Sequence, residues 1–208
     1  GEQLQALTAT QFTSLSAAVL RGFSAEDIAL TTPEQWSKLT NPQLSVLNGE
    51  QLKALAGSRT ASLLPTQIRA LSASEVGKAG ATFLEALTPT QIAGLASNQT
   101  ATLSLTAITG LRPEQIAAMD PAALSGLSAT GFAALDAEQV GALSAAQIAR
   151  LRPEQLKALD GDDLNEFTRV QLKAFTAAQL KELPPERLAA LSDEQFAAFS
   201  PTQLPGLT

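Results

Sequence analysis

The sequence predicts an all-α solenoid, a superhelix of 26 very short helices with one helix in each eight-residue repeat. Three observations predict it. Blocks cut from Gly1 keep one register to the end, 208 ÷ 8 = 26. Two apolar anchors recur three residues apart in nearly every block, and helix-starting residues stand just ahead of each pair. "LRPEQIAAMD" at 111–120 and "LRPEQLKALD" at 151–160 are therefore echoes five octads apart, 5 × 8 = 40.

The anchors come first. The consensus is [Pro/Ala]-[Glu/Thr]-Gln-Leu-x-Ala-Leu-[Ser/Thr]. The fourth position is Leu, Ile, Val, Phe or Trp in 24 of 26 octads, with Thr60 and Thr100 departing. The seventh is Leu, Phe or Met in 24 of 26, with Thr31 and Ala79 departing. A spacing of three puts both anchors on one helical face, whereas a strand would send them to opposite faces. A single continuous helix also fails. Eight residues make about 2.2 turns, so the apolar stripe would rotate by about 80° per repeat.

The punctuation marks each helix start. The eighth position is mostly Ser, Thr, Asp or Asn, the preferred N-caps. Proline follows it in eight octads, at Pro33, Pro65, Pro89, Pro113, Pro121, Pro153, Pro185 and Pro201. That is the first helical position, where a missing N–H costs nothing, and proline drives the residue before it out of helical geometry. Gln at the third position completes a capping box, as in Ser144-Ala145-Ala146-Gln147 and Ser192-Asp193-Glu194-Gln195. Glu at the second position favours the same end through the helix dipole.

Helices this short are marginal alone and must bury their anchors against neighbouring octads. The sixth position is Ala in 11 octads and Gly in 5, which lets backbones approach. Residues 1–208 thus read as one octapeptide-repeat solenoid stabilised by nearest neighbours. The number of octads per superhelical turn, and its handedness, stay open. Two octads per layer would give a rod of roughly 120 Å, three about 80 Å. The first and last octads, GEQLQALT and PTQLPGLT, keep ordinary anchors rather than polar caps. The expectation is a segment of a longer array, a larger protein that caps it, or end-to-end stacking of copies.

Composition narrows the function. The chain carries 45% hydrophobic but only 4% aromatic residues, so its core is small and aliphatic. The net charge is −6, and residues 105–208 hold most of it, with 8 basic against 13 acidic groups. No basic stripe exists to neutralise phosphates, so no nucleic-acid partner is expected. No apolar run has transmembrane length, so no membrane insertion is expected, and no signal-peptide pattern stands at the start. Cysteine and histidine are both absent, which excludes disulfides, thiolate nucleophiles and Cys/His zinc sites.

Individual candidates reduce to the repeat. The acidic stretch Asp160-Gly161-Asp162-Asp163-Leu164-Asn165-Glu166 has two readings. Asp160 is an N-cap with Asp162 and Asp163 in the Glu and Gln positions, or the group is a weak calcium site. An EF-hand pattern fails, because Leu164 takes the fifth ligand position and Gly161 falls too early. The many hydroxyls lack the base and orienting partner that a nucleophile needs, and most are already caps. Trp36 stands at a fourth-position anchor and reads as core, while Phe83 alone among the phenylalanines sits off the anchors. Asn98-Gln99-Thr100 matches a glycosylation sequon of the kind chance produces in a Thr-rich chain. The irregular stretches RGFSAEDI, GSRTASLL, ASEVGKAG and SNQTATLS read as drift, a bend or a binding surface. No catalytic, cofactor-binding or metal-ligating residue is predicted, and the chain is not expected to be an enzyme.

The blocks PEQLKALD, PTQIAGLA and AAQIARLR resemble the short LTPEQLxAL tandem repeats of large bacterial secreted and surface proteins, over all 26 octads. Designed repeat proteins are the other source of such regularity, but the irregular octads and helical glycines fit an idealised design poorly. The resemblance implies an extracellular repeat region and carries no catalytic residues. Two functions follow: a structural spacer or stalk, or a scaffold binding a protein or peptide along the superhelix. The fifth position, which points away from the anchors, offers no aromatic residue and no sustained charge. Binding surfaces usually present aromatic or Arg anchors. The spacer is favoured.

Overall fold

A computed structural model describes residues 2–55 and 57–207. It is all-helical: 24 short α-helices and one 3₁₀ turn follow one another, with no strand among the described residues. Most helices run four to six residues and then stop. The N-cap before most of them is extended, as at Thr8 (φ −63°, ψ 157°) ahead of Ala9–Thr13; Gly57, ahead of Ser58–Ala61, is an exception at φ 85°. Proline enforces the same break where the cap is a poor one. Arg152 (φ −83°, ψ 154°) accepts nothing with its side chain, yet Pro153–Ala158 starts directly after it.

The expectation of 26 separate helices is corrected in two places. Octads 73–80 and 81–88 merge into Ala73–Glu85, broken only by Gly80 at φ 64°. Glycine stands there in the N-cap position, so the second helix has no side-chain cap and no proline to space it from the first. The last octad, with Pro205 at its fifth position, closes as the 3₁₀ turn Leu204–Gly206.

The helices wind into a superhelix whose pitch can be read from its hydrogen bonds. Side chains reach backbone carbonyls 28 and 31 residues earlier, as from Gln115 to Leu87 and Leu84. Ion pairs also join successive turns, as in Lys157–Glu182. Each octad therefore sits on the octads three and four before it, and one turn takes about three and a half octads. That excludes two octads per layer. The whole chain makes about seven turns, and at about 9 Å between helix axes the superhelix is about 65 Å long.

The anchors fill its centre. From Ile28 to Leu183 every fourth- and seventh-position side chain is buried, including Trp36. The exceptions are buried too, and the three threonines among them are hydrogen-bonded. The Thr31 hydroxyl takes the Trp36 indole N–H and donates to the Ile28 carbonyl. Thr60 donates to the Leu55 carbonyl at 2.7 Å, and Thr100 to the Ala123 carbonyl at 2.7 Å. A hydroxyl in a core is tolerable only when so paired.

Close backbone approach occurs where a sixth position meets the first position of an octad in the turn below. A Cβ on Gly94 would fall well inside contact distance of the Pro65 carbonyl oxygen. At the junction of Lys78 the small residue is instead Gly49, whose Cβ would meet that of Lys78 at 2.7 Å. Gly94→Ala is expected to destabilise by about 1–3 kcal/mol, because backbone must move. Gly141→Ala, with nothing within 4 Å, should be neutral or stabilise by up to about 1 kcal/mol. Urea midpoints of the two variants check this contrast.

Candidate functional site

The most elaborate polar arrangement is a ladder of third-position glutamines. A primary amide offers one acceptor oxygen and two donor hydrogens, and here both ends are used. The Gln115 Oε1 accepts the N-cap N–H of Arg112 at 2.9 Å, and its Nε2 donates to the carbonyls of Leu84 at 2.9 Å and Leu87 at 2.8 Å. The oxygen starts its own helix while the nitrogen ties that helix to the turn below. Every third-position Gln from Gln35 to Gln203 donates in this way to the carbonyl 28 residues earlier. Most are buried, Gln115 and Gln155 completely.

Residues that replace Gln divide its two tasks. Asp27 and Asp163 accept from their N-cap N–H groups, but a carboxylate has no donor for the turn below. Arg59 has only donors, and it reaches the carbonyls of Thr31, 28 residues back, and Ala29. Phe83 does neither and is wholly buried. The Leu55 carbonyl that a Gln at 83 would have reached is occupied by the Thr60 hydroxyl. Two of these replacements are coupled exceptions: Arg59 bonds to the unusual anchor Thr31, and Phe83 lies where Thr60 has taken the carbonyl below.

Sequence reasoning identified these glutamines as caps and missed the inter-turn bond. The available signal was the preference itself. A capping box accepts Glu as readily as Gln, yet the third position holds 16 Gln and one Glu, Glu75. That Glu accepts the Gly49 N–H of the turn below and pairs with Lys78; the Lys78 ammonium first, and then the Gly49 N–H, hold its carboxyl below the usual range.

At the acidic stretch the geometry supports capping. Asp160 accepts the Asp163 N–H at 2.9 Å, and Asp163 accepts the Asp160 N–H at 2.7 Å. Asp162 is exposed on the first turn of Gly161–Asn165. Among the described residues no group of three or more Asp or Glu side chains is placed to hold a metal ion. Glu166 is the ill-matched member: its Oε2 is buried with no hydrogen-bond partner. Burial, and then the charges of Asp163, Asp136, Asp160 and Asp162, push its pKa up. A carboxyl raised in the folded state contributes stability that is full below its unfolded pKa, about 4.3, and is lost as pH rises through the folded value. Glu166→Gln should therefore raise the melting temperature at pH 7 and make little difference at pH 4, checked by thermal melts at both.

The remaining candidates are structural. Trp36 packs edge-on to Phe12, with ring centroids 5.6 Å apart. In the sequon-like triplet, Thr100 is fully buried and its hydroxyl is engaged with Ala123, while Asn98 is exposed within Ser97–Thr100. Among the described residues no helix is long and apolar enough to cross a membrane.

Comparison with known proteins finds a repeat in part of the chain. No curated protein matches the chain. A family model described as the ALTTAQ repeat matches residues 116–153. Within that window Ala142-Leu143-Ser144-Ala145-Ala146-Gln147 matches that name at four of its six letters, with Ser144 and Ala145 in place of the two threonines, and it runs from the small sixth position through the anchor and N-cap to the ladder glutamine. Over those residues the chain is similar to a short tandem repeat.

Proposed function

We propose that this chain is an elongated structural spacer or stalk, a repeat segment of a larger bacterial secreted or cell-surface protein, with no catalytic activity of its own. The observation that carries the reading is where its polar chemistry goes. The recurrent side chain with both donor and acceptor capacity, the third-position Gln, is spent inside the superhelix on caps and inter-turn bonds. The outward fifth position carries chiefly Ala, Ser, Thr, Gly and Lys. What the repeat builds is length. The resemblance to bacterial surface repeats supports the setting.

Small-angle scattering tests the shape. A cylinder about 65 Å long and about 24 Å wide has a radius of gyration near ~20 Å, against ~17 Å for a compact globule of this size. Deleting the segment 89–144 removes seven whole octads, two turns, and leaves every later Gln an octad four repeats before it. That variant should stay helical and shorten by about 18 Å. Deleting only the segment 141–144 puts the following octads half a repeat out of register and should unfold the turns around the cut. A compact intact particle, or collapse of the two-turn deletion, would refute the spacer reading.

A further inference from the structure

Four asparagines stand in the chain, and one of them, Asn48, is followed by glycine. An asparagine loses its amide when the backbone nitrogen of the next residue attacks Cγ, and the next side chain is the main obstacle to that attack. Glycine presents none. Asn41 precedes Pro42, whose nitrogen carries no hydrogen, and Asn98 and Asn165 precede Gln99 and Glu166. The Gln99 and Glu166 N–H groups are also held in turns, on the Ala96 and Asp163 carbonyls.

Packing explains why a glycine follows Asn48. Gly49 opens its octad against Lys78 of the turn above, and a Cβ there would meet the Lys78 Cβ at 2.7 Å. The eighth position calls for a cap, and the first position at this junction calls for a residue without a side chain. Together they write Asn-Gly. The structure also shows what restrains the pair. Asn48 is exposed and extended, with ψ at 169°. Its Oδ1 accepts the Gln51 N–H at 2.9 Å, and the buried Gly49 donates its N–H to Glu75 Oε2 at 2.8 Å. A five-membered ring closes only when the Gly49 nitrogen rotates to eclipse the Asn48 Cβ. At ψ 169° the nitrogen is far from that position, and the rotation takes its N–H off Glu75.

We propose that Asn48 is a deamidation site of this chain, and that the hydrogen bond from Gly49 to Glu75 is its guard. The reaction runs in the opened first turn of Gly49–Ala54. The Gly49 nitrogen, its proton passed to water, bonds to Asn48 Cγ. The Cγ–Nδ2 bond breaks, and the amide leaves as ammonia with a proton returned from water. Water then opens the ring, at Cγ to give an aspartate or at the backbone carbonyl to give an isoaspartate. The aspartate still caps, but it sets a second carboxylate in the cleft that Asn48 shares with Glu75 and Arg21. The isoaspartate adds a methylene to the main chain where Gly49 abuts Lys78, and it shifts the helix out of register with the turn above. This turn ages first.

The inference stands apart from the spacer reading, since a rod with or without the reaction is still a rod. The intact chain is held at neutral pH and physiological temperature, folded or in urea, and mapped by digestion and mass spectrometry. In the folded chain Asn48 should convert well ahead of Asn98 and Asn165, yet on the order of tenfold or more slowly than in urea. Glu75→Ala leaves the Gly49 N–H unheld and should speed conversion on the order of tenfold. Ser192→Ala removes a cap in a distant octad and should leave the rate unchanged, which separates local opening from a general loss of stability. Asn48→Ser keeps a cap and should abolish the ammonia released by the folded parent. A folded Asn48 that converts no faster than Asn98, an unfolded chain no faster than the folded one, or a Glu75→Ala variant no faster than the parent would each overturn the proposal.

Discussion

Replacing Leu156 by aspartate is expected to cost more than about 4 kcal/mol, the largest effect of any single substitution considered. Leu156 is fully buried in the helix Pro153–Ala158. The change removes the burial of a leucine, about 2–3 kcal/mol, and puts in its place a carboxyl with no partner, which costs several more. The damage should also be local. Hydrogen bonds between turns span up to 31 residues, so the octads coupled directly to this one lie between 156 − 31 = 125 and 156 + 31 = 187. Amide exchange should accelerate across that window and much less over positions 9–60, as expected where stability is a sum over neighbours. Ser192→Ala is the matched control. Its hydroxyl accepts the Gln195 N–H at 3.3 Å on the exposed face, a cap worth about 1 kcal/mol. Denaturation midpoints that ranked the two variants the other way would show core and cap to be wrongly assigned.

Gln115→Leu is expected to cost about 3 kcal/mol although leucine is apolar and of similar size. Gln115 is fully buried, and its replacement leaves the Arg112 N–H without its acceptor and removes a donor from the Leu84 and Leu87 carbonyls. Unpaired buried backbone groups cost about 1–3 kcal/mol each. The Leu84 carbonyl keeps the Leu87 N–H as a partner, and the Leu87 carbonyl keeps a longer bond from the Arg112 guanidinium at 3.4 Å, so the Arg112 N–H carries most of the penalty. Gln115→Arg separates the tasks. By analogy with Arg59 it should restore the inter-turn bond without the cap and lose less than leucine does. Urea denaturation of the three proteins measures the difference. If leucine proved neutral, the ladder would be decoration on a core held by its anchors alone.

Much of this molecule is local chemistry repeated, and so much of it was legible. The helix starts follow from Ser, Thr, Asp and Asn caps or from a first-position proline, and the core from anchors three apart, because capping and facial periodicity act within one octad. Ser144 and Gln147 illustrate it: the reciprocal box read from four letters is present, with the Ser144 N–H donating to Gln147 Oε1 at 2.8 Å. Asp160 and Asp163 behave in the same way, so an acidic run that could be read as a cation site closes on itself as a cap. Gly80 was harder. Its octad keeps the register, and only the backbone, at φ 64°, shows that a missing cap lets two helices abut.

The sequence by itself therefore determined the octad, the helix in nearly every octad, its start, its stop and its buried face. The tertiary structure alone decided the pitch: between three and four octads per turn, not two, because that number depends on how far each linker turns the chain and on where the Gln side chains find carbonyls. It also decided that Gln tips serve the turn below, that Phe83 and Thr60 compensate one another, and that the Glu166 Oε2 is left buried without a partner. The ladder and the Phe83–Thr60 compensation join residues a full turn of the superhelix apart, and the burial of Glu166 depends on the same stacking. No propensity within one octad encodes that separation; it exists only once the turns are stacked.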